Sequence, residues 1–268
     1  MTFTPQASGT SGAQYTSTRV FPIYTGTAAP FSADRTFPYR AAGKLFFSIN
    51  GAPYICSASV IARRIVATAG HCVHSGTASG FYSNFVFIPA FLDGTAPFGS
   101  WAPRLVGVTT TWSSGGGGVP NAADYAMMEM NDQTISGTVR RIGDLTDSLG
   151  WQTLSLASNH TSKLGYPANL DNARKMQNVM SDNFQAFAPN TVAYGSDAGG
   201  GSSGGPWVQN LEVASVGQNG NNLGSNRVVG ITSYGPVDPA VKFAGSSILD
   251  SRWSTMYSTL CSARVGNC

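Results

Sequence analysis

The sequence predicts an all-β protein in two halves, a sandwich or a barrel, closed by one C-terminal helix. Three observations carry that prediction. Short apolar runs recur along the chain, separated by Gly, Pro, Asn and Ser turn signals. No alternation of strand and helix patterns is present, so a parallel α/β fold is excluded. Only one stretch, near the end, repeats apolar residues at three- and four-residue steps over several turns.

Taken in order, residues 1–43 hold Pro5, Pro22, Pro30 and Pro38 with little periodicity. They read as an extended N-terminal arm wrapped on the body. Strands begin at Lys44. Leu45 to Ile49 runs into the turn signal Asn50-Gly51, and Tyr54 to Ile61 is the return strand of a hairpin. Arg64 to Thr68 is a third strand, followed by a short helical turn over Ala69 to Val73. Phe85 to Ile88, Arg104 to Thr111 and Tyr125 to Met130 continue the strand pattern. Ser113 to Gly118 is a Gly/Ser surface loop. Around 131–151 the apolar pattern breaks and turn residues cluster, so the boundary between the halves is placed there. Strands are expected again at Gln152 to Leu156, Ser162 to Tyr166, Lys175 to Met180, Thr191 to Tyr194, Pro206 to Gln209 and Val228 to Tyr234. The terminal helix is carried by Ile248, Leu249, Trp253, Met256, Tyr257 and Leu260, with Ser246 or Ser247 as its expected cap.

The 268 residues are 42% hydrophobic, enough for a large core and too much for disorder. Only 11% are charged, about half the usual share. The polar surface must therefore be built largely from Ser, Thr, Asn, Gln and backbone, as in secreted proteins. A net charge of +3 with no basic run points away from nucleic acid and membrane surfaces as partners. No apolar window is long enough to span a bilayer. Residues 1–18 lack the pattern of a signal peptide. An exported protein would then have lost its leader from this sequence, with Met1 as an added start. Of the four cysteines, Cys56 and Cys72 lie 16 apart and Cys261 and Cys268 lie 7 apart. Four cysteines allow three pairings. Their even number and local spacing favour an oxidising compartment over four buried thiols.

The densest chemical signal is Gly201-Ser202-Ser203-Gly204-Gly205-Pro206, leading into Trp207-Val208. A glycine-rich turn entering a strand can aim backbone N–H groups at one spot beside the Ser203 hydroxyl, the arrangement of a nucleophile and an oxyanion hole. The same run also reads as a flexible Gly/Ser loop, so the rest of the chain must supply a base and an acid. There are three histidines. His71, in Thr68-Ala69-Gly70-His71-Cys72, follows a strand and ends on a cysteine that could tie it to Cys56. His74 could pair with His71 on a metal, but no third ligand is evident nearby, and no metal or other cofactor is expected. His160 lies in the surface-type sequon Asn159-His160-Thr161. For the acid, Asp124 opens Asp124-Tyr125-Ala126-Met127-Met128, whose apolar neighbours would bury it. A buried carboxylate accepting from an imidazole fixes its tautomer and stabilises the imidazolium.

The chain order is His71, Asp124, Ser203. Thr-Ala-Gly-His-Cys, Asp-Tyr-Ala and Gly-x-Ser-Gly-Gly-Pro in that order resemble the chymotrypsin-like (trypsin-like) serine endopeptidases. Gly165-Tyr166-Pro167 and Arg19-Val20 resemble the bacterial branch that includes glutamyl endopeptidases. The resemblance spans roughly Val20 to Leu260. It implies two six-stranded antiparallel β-barrels, the first over 44–135 with His71 and Asp124, the second over 136–245 with Ser203. Residues 246–268 follow as a C-terminal helix and disulfide tail. It implies His71 as general base, Asp124 as its orienting acid and Ser203 as nucleophile, with the N–H groups of Gly201 and Ser203 as oxyanion hole. It implies the Cys56–Cys72 bridge around the histidine, polypeptide substrates and a monomeric secreted hydrolase.

Gly201-Ser202-Ser203-Gly204-Gly205 also spells the Gly-x-Ser-x-Gly elbow of α/β-hydrolases. That fold requires a histidine after the serine, and none follows Ser203. The resemblance further places Thr232, Ser233, Tyr234 and Gly235 along the substrate, with the backbone of Ser233 and Gly235 pairing to the peptide and Tyr234 as an apolar wall. Asp197 falls six residues before Ser203, where trypsin-like members carry the pocket-floor carboxylate that selects Arg or Lys. A simple turn aspartate is the other reading. Glutamyl enzymes carry a histidine where Thr232 stands, which argues against acidic specificity. Ser202 replaces the aspartate that pairs with a new N-terminus in many relatives, so that activation route is not expected. The rival functions are a catalytically inactive binding protein of the same fold and an unrelated β-sandwich binding domain, in which His71 and Ser203 would lie far apart.

Overall fold

The structure is a computed structural model that describes residues 14–20, 33–212, 224–238 and 240–268. Most of the expected N-terminal arm, 1–13 and 21–32, lies outside the described residues. Within it, β1 (Thr16–Arg19) is an added strand. The first group of strands is β2 (Ala42–Ile49), β3 (Ala52–Val60), β4 (Ile65–Thr68), β5 (Ser83–Pro89), β6 (Pro103–Val108) and β7 (Ala126–Met130). They form one six-stranded antiparallel sheet in the order β5-β2-β3-β4-β7-β6. The sheet curls until Phe87 on β5 exchanges two 2.8 Å hydrogen bonds with Trp101, just before β6. The β2–β3 hairpin turns on Asn50 and Gly51, at φ 50° and 83°, the left-handed pair that a two-residue hairpin loop demands.

The second group contains β10 (Gly150–Trp151), β11 (His160–Gly165), β12 (Gln177–Phe187), β13 (Thr191–Gly195), β14 (Pro206–Gln209), β15 (Arg227–Ile231) and β16 (Phe243–Ser247). With β1 they form an eight-stranded sheet in the order β10-β15-β14-β11-β12-β13-β16, with β1 on β12. A Tyr234–Gly245 bridge links β16 to the segment after β15 and curls this sheet too. The six-strand expectation is thus approximate here. Six strands circle, and β1 and β10 are additions at the side.

The stretch 131–151 is not a bare linker. It carries the hairpin β8 (Gln133–Ile135) and β9 (Thr138–Arg140) and the short helix α2 (Ile142–Thr146). Before it, the expected strand over Arg104 to Thr111 stops at Val108. There Thr109 accepts the Trp112 N–H through Oγ1 and caps α1 (Thr110–Ser113). Gln152 to Leu156 is not a strand either, and a 3₁₀ turn covers Leu156–Ser158. The terminal helix α3 spans Ser251–Ser262, and its cap is Asp250, not Ser246 or Ser247. Those serines belong to β16. Two disulfides form, Cys56–Cys72 and Cys261–Cys268.

The largest core cluster joins the first sheet (Leu45, Ile65, Phe87, Met127) to Val208, Val228 and Ile231 of the second and to Trp253, Met256 and Leu260 of α3. The helix is therefore packed across both sheets, and the two halves share one apolar interior. At about 25 cal/mol per Å² of apolar surface removed from water, this shared interior ties them together strongly. Among the described residues no helix is long and apolar enough to cross a membrane.

Candidate active site

His71 sits in a 3₁₀ turn, Gly70–Cys72, at the end of β4. Its neighbour Cys72 is bonded to Cys56 on β3, so the turn is held to the sheet covalently. Asp124, two residues before β7 and fully buried, faces it. Asp124 Oδ1 accepts the backbone N–H of His71 at 2.8 Å, and Oδ2 lies 2.8 Å from His71 Nδ1. The carboxylate therefore fixes both the backbone and the ring of the same residue. Burial pulls the His71 pKa down, but the charge of Asp124 and its hydrogen bond more than offset this, and the net shift is upward. A third donor also reaches the carboxylate, Ser233 Oγ at 2.5 Å from Oδ2. Cys56, His71 and Cys72 are close enough to suggest a metal cluster, but both sulfurs are consumed by the disulfide and offer no thiolate.

Ser203 lies on the turn that leads into β14. Its partly exposed side chain lines the same cleft as Thr232, Tyr234 and Asp197. The turn is pressed against β3 and against the end of β4, the strand that leads to His71. Ser57 N–H donates to Ser203 O at 2.6 Å, and Ser57 Oγ donates to Gly201 O at 2.8 Å. Gly204 has φ +80°, and a Cβ there would stand 2.1 Å from Thr68 Oγ1 and 2.3 Å from Ser57 O. Only glycine fits that close approach, which sets Ser203-Gly204 beside Thr68-Ala69, a few residues before His71. At Gly201, with φ +95°, a Cβ would stand 2.5 Å from Tyr166 O. Among the described residues, the N–H groups of Gly201 and Ser203 donate to no protein acceptor. Ser202 is turned inward, its Oγ donating to Gly199 O at 2.6 Å.

The cleft has a volume of about 330 Å³. Asp197 lines it, with Oδ1 buried and without a hydrogen-bond partner among the described residues. Lys242 is the cleft's exposed cation. Tyr234 forms one wall. Its ring fits over Gly245, where a Cβ would stand 2.1 Å from the ring, and its hydroxyl meets Thr191 Oγ1 at 3.1 Å. Ser233 N–H donates to Gly245 O within the sheet, so that backbone donor is already used. Thr232 is buried, and its Oγ1 accepts from Trp207 Nε1 at 2.8 Å. His74 is buried away from the cleft, with Nδ1 accepting the Gly76 N–H. His160 is exposed on β11.

Three supporting residues escaped the sequence reading. Ser57 ties the Ser203 turn to β3. The Ser233 side chain, expected only to offer backbone, donates to Asp124. Asn169 Nδ2 donates to Asp197 O at 2.8 Å, and its Oδ1 accepts the Gly199 N–H at 2.7 Å. This one amide fixes both ends of the loop that carries Asp197. A serine next to the bridging Cys56 was the only local hint of any of them.

Comparisons with known proteins follow the same lines. The trypsin family model matches residues 32–245. A glutamyl endopeptidase of Bacillus licheniformis is 27% identical over 175 residues, covering 63% of this chain and 49% of its own length. The chain thus spans about half the length of that curated relative. The protease Anisep of Arthrobacter nicotinovorans superposes with a TM-score of 0.69 at 27% identity, covering 83% of this chain and 96% of its own. The thermostable serine protease AL20, from an extremophilic microorganism, gives 0.70 at 26% identity, covering 84% and 98%.

Proposed function

This chain belongs to the trypsin family, and from that premise we propose that it is a secreted serine endopeptidase that hydrolyses peptide bonds through His71, Asp124 and Ser203. The observation that carries the proposal is the buried Asp124 carboxylate, which accepts from both the backbone and the ring of His71. With Nδ1–H committed to Asp124, Nε2 is left as the base. His71 takes the Ser203 proton as Oγ attacks the scissile carbonyl. The tetrahedral oxyanion is held by the N–H groups of Gly201 and Ser203. His71 then delivers the proton to the leaving amine, and water repeats the cycle on the acyl-enzyme. The raised pKa of His71 fits this role, because the imidazolium formed in the transition state is what Asp124 stabilises.

The substrate side chain before the scissile bond, P1, enters the cleft beside Tyr234, with Thr232, Ser233 and Gly235 along its backbone. The buried, unpartnered Oδ1 of Asp197 supports a basic P1 residue, since an arginine or lysine would supply the missing donor. Two disulfides support secretion into an oxidising compartment. The rival reading, an inactive binding protein, gives no reason for a carboxylate that orients an imidazole in this way.

The deciding experiment is labelling with a fluorophosphonate or sulfonyl fluoride, followed by peptide mapping. The expected adduct is on Ser203 and absent in Ser203→Ala. A folded wild-type protein that does not label there would overturn the proposal. Cleavage of a peptide library then reads P1, and a preference for residues other than Arg and Lys would remove Asp197 from the role given it.

A further inference from the structure

Behind the back wall of the cleft lies a buried lysine that peptide hydrolysis does not require. Lys163, on β11, is 5% exposed. Its Nζ donates to Ser181 Oγ at 2.5 Å and, at 3.5 Å, to Val179 O. It rests over the rings of Trp207 and Tyr194, 5.0 and 5.2 Å from their centroids. Among the described residues it has no ion pair, so its charge is not neutralised by direct contact. A small void beside it is lined by Ser196, Ala198, Ser202 and Thr232, and the same four residues line the substrate cleft. One layer of small side chains therefore separates the ammonium from the space that P1 would fill. The loop of Asp197 also hangs from this group. Ser181 Oγ, the lysine's acceptor, donates to Gly195 O at 2.7 Å, two residues before Asp197.

Resting on the reading of this cleft as the P1 pocket, we propose that Lys163 is a specificity-determining residue whose charge, acting through the thin wall, opposes a cationic P1 side chain and favours a neutral one. A buried charge is weakly screened by salt and by a dry protein wall, so its field reaches the pocket. The bias also depends on pH. Burial pulls the Lys163 ammonium down to about 7, against the opposing pull of Asp182. The charge is present below neutrality and fades above it. Preference for a cationic P1 therefore rises with pH. The ionisable groups around Lys163 are Asp182 on β12 and the Tyr194 phenol on β13. Across the wall are Asp197 and Lys242, and exposed His160 stands opposite Asp182 in the β11–β12 register.

The test uses two peptides identical except at P1, one with arginine and one with its neutral isostere citrulline. The ratio of their kcat/KM values is measured between about pH 6 and 8.5, a window below the ordinary lysine range. Titration of His71 affects both peptides alike and divides out. In the wild type the Arg/citrulline ratio should rise about three- to tenfold across the window, the size expected for one weakly screened charge. Lys163→Met should hold the ratio flat at its high-pH level. Lys163→Arg, which keeps its charge throughout, should hold it flat at the low-pH level. A flat wild-type ratio, or a Met variant with the wild-type profile, overturns the inference. Should Lys163→Met fail to fold, the wild type and Lys163→Arg decide it alone. Turnover with a flat ratio defeats only this inference, whereas no turnover of either peptide by folded enzyme defeats the endopeptidase reading and this inference with it.

Discussion

The two walls of the cleft hold their functional groups by different means. On the first-sheet side, His71 is next to a cystine and is gripped at backbone and ring by one buried carboxylate. On the second-sheet side, the 196–205 loop has no covalent tie. It hangs from Asn169, from Ser57 and from the inward hydroxyl of Ser202. Under the proposed mechanism the difference matches the tasks. A base must present one tautomer in one orientation, and small errors are costly. A loop that lends N–H groups to an oxyanion while admitting different side chains is served by hydrogen bonds that can adjust.

The largest effect is expected at the two groups proposed to react, one on each wall. His71→Ala and Ser203→Ala should each lower kcat by about 10⁴-fold or more, and the double variant should be no worse than either, because the groups act as a unit. Steady-state kinetics on a chromogenic peptide checks this, and additive losses would show that the walls act independently.

The contact between the walls comes next. Gly204→Ala places a Cβ against Thr68 Oγ1 and Ser57 O at a positive φ, and should destabilise the protein by about 3 kcal/mol or more in denaturant unfolding. Wild-type stability would mean that the walls can separate without cost.

The supports of the two walls should respond differently to substitution. Replacing Cys56 and Cys72 together by serine opens a 16-residue loop and should cost about 3 kcal/mol, with P1 selectivity unchanged. Asn169→Ala should cost only about 1 kcal/mol, yet raise KM for the preferred P1 several-fold while kcat holds. A selectivity change in the first variant and none in the second would reverse the assignment of rigidity and adaptability.

The smallest effect concerns pH. In the proposed mechanism deprotonated His71 is the base, so kcat/KM should fall along an acid limb as pH drops through its pKa, which lies above the ordinary imidazole range. Ser233→Ala removes a donor from Asp124. The less stabilised carboxylate then holds the imidazolium more tightly, and the limb should move upward by less than about one pH unit. A downward shift in the pH–rate profile would exclude Ser233 from this role.

The residues proposed to react were legible because each sits in a short run whose local chemistry is distinctive. His71 lies between a glycine and a cysteine, Asp124 before an apolar strand, and Ser203 among glycines. Their supports were not. Ser57 reaches Gly201 across 144 residues and Ser233 reaches Asp124 across 109. A lone serine carries no sign of such a partner. The same limit applied to the fold. Pro206–Gln209 reads as a strand from its own residues, whereas Phe243–Ser247 is poor in strand-forming side chains. It is a strand because it pairs along its whole length with β13, from Thr191–Ser247 to Gly195–Phe243, while Gly245 makes room for the Tyr234 ring. Its serines then looked like a helix cap. The strand expected through Thr111 ended early because a single Thr109 hydroxyl could close a helical turn.

One further consequence follows from the terminal helix. The segment that carries Asp124 belongs to the first sheet but is held from late in the chain. Ser247 Oγ donates to Asn121 O and accepts the Asp124 N–H, Asn190 and Arg252 both donate to Ala122 O, and Tyr125 OH donates to Asp250. Of these partners, Ser247, Asp250 and Arg252 follow both His71 and Ser203 in the chain. Under the proposed mechanism, a chain cut before Ser247 would keep the base and the nucleophile but lose most of the contacts that hold the group aligning them.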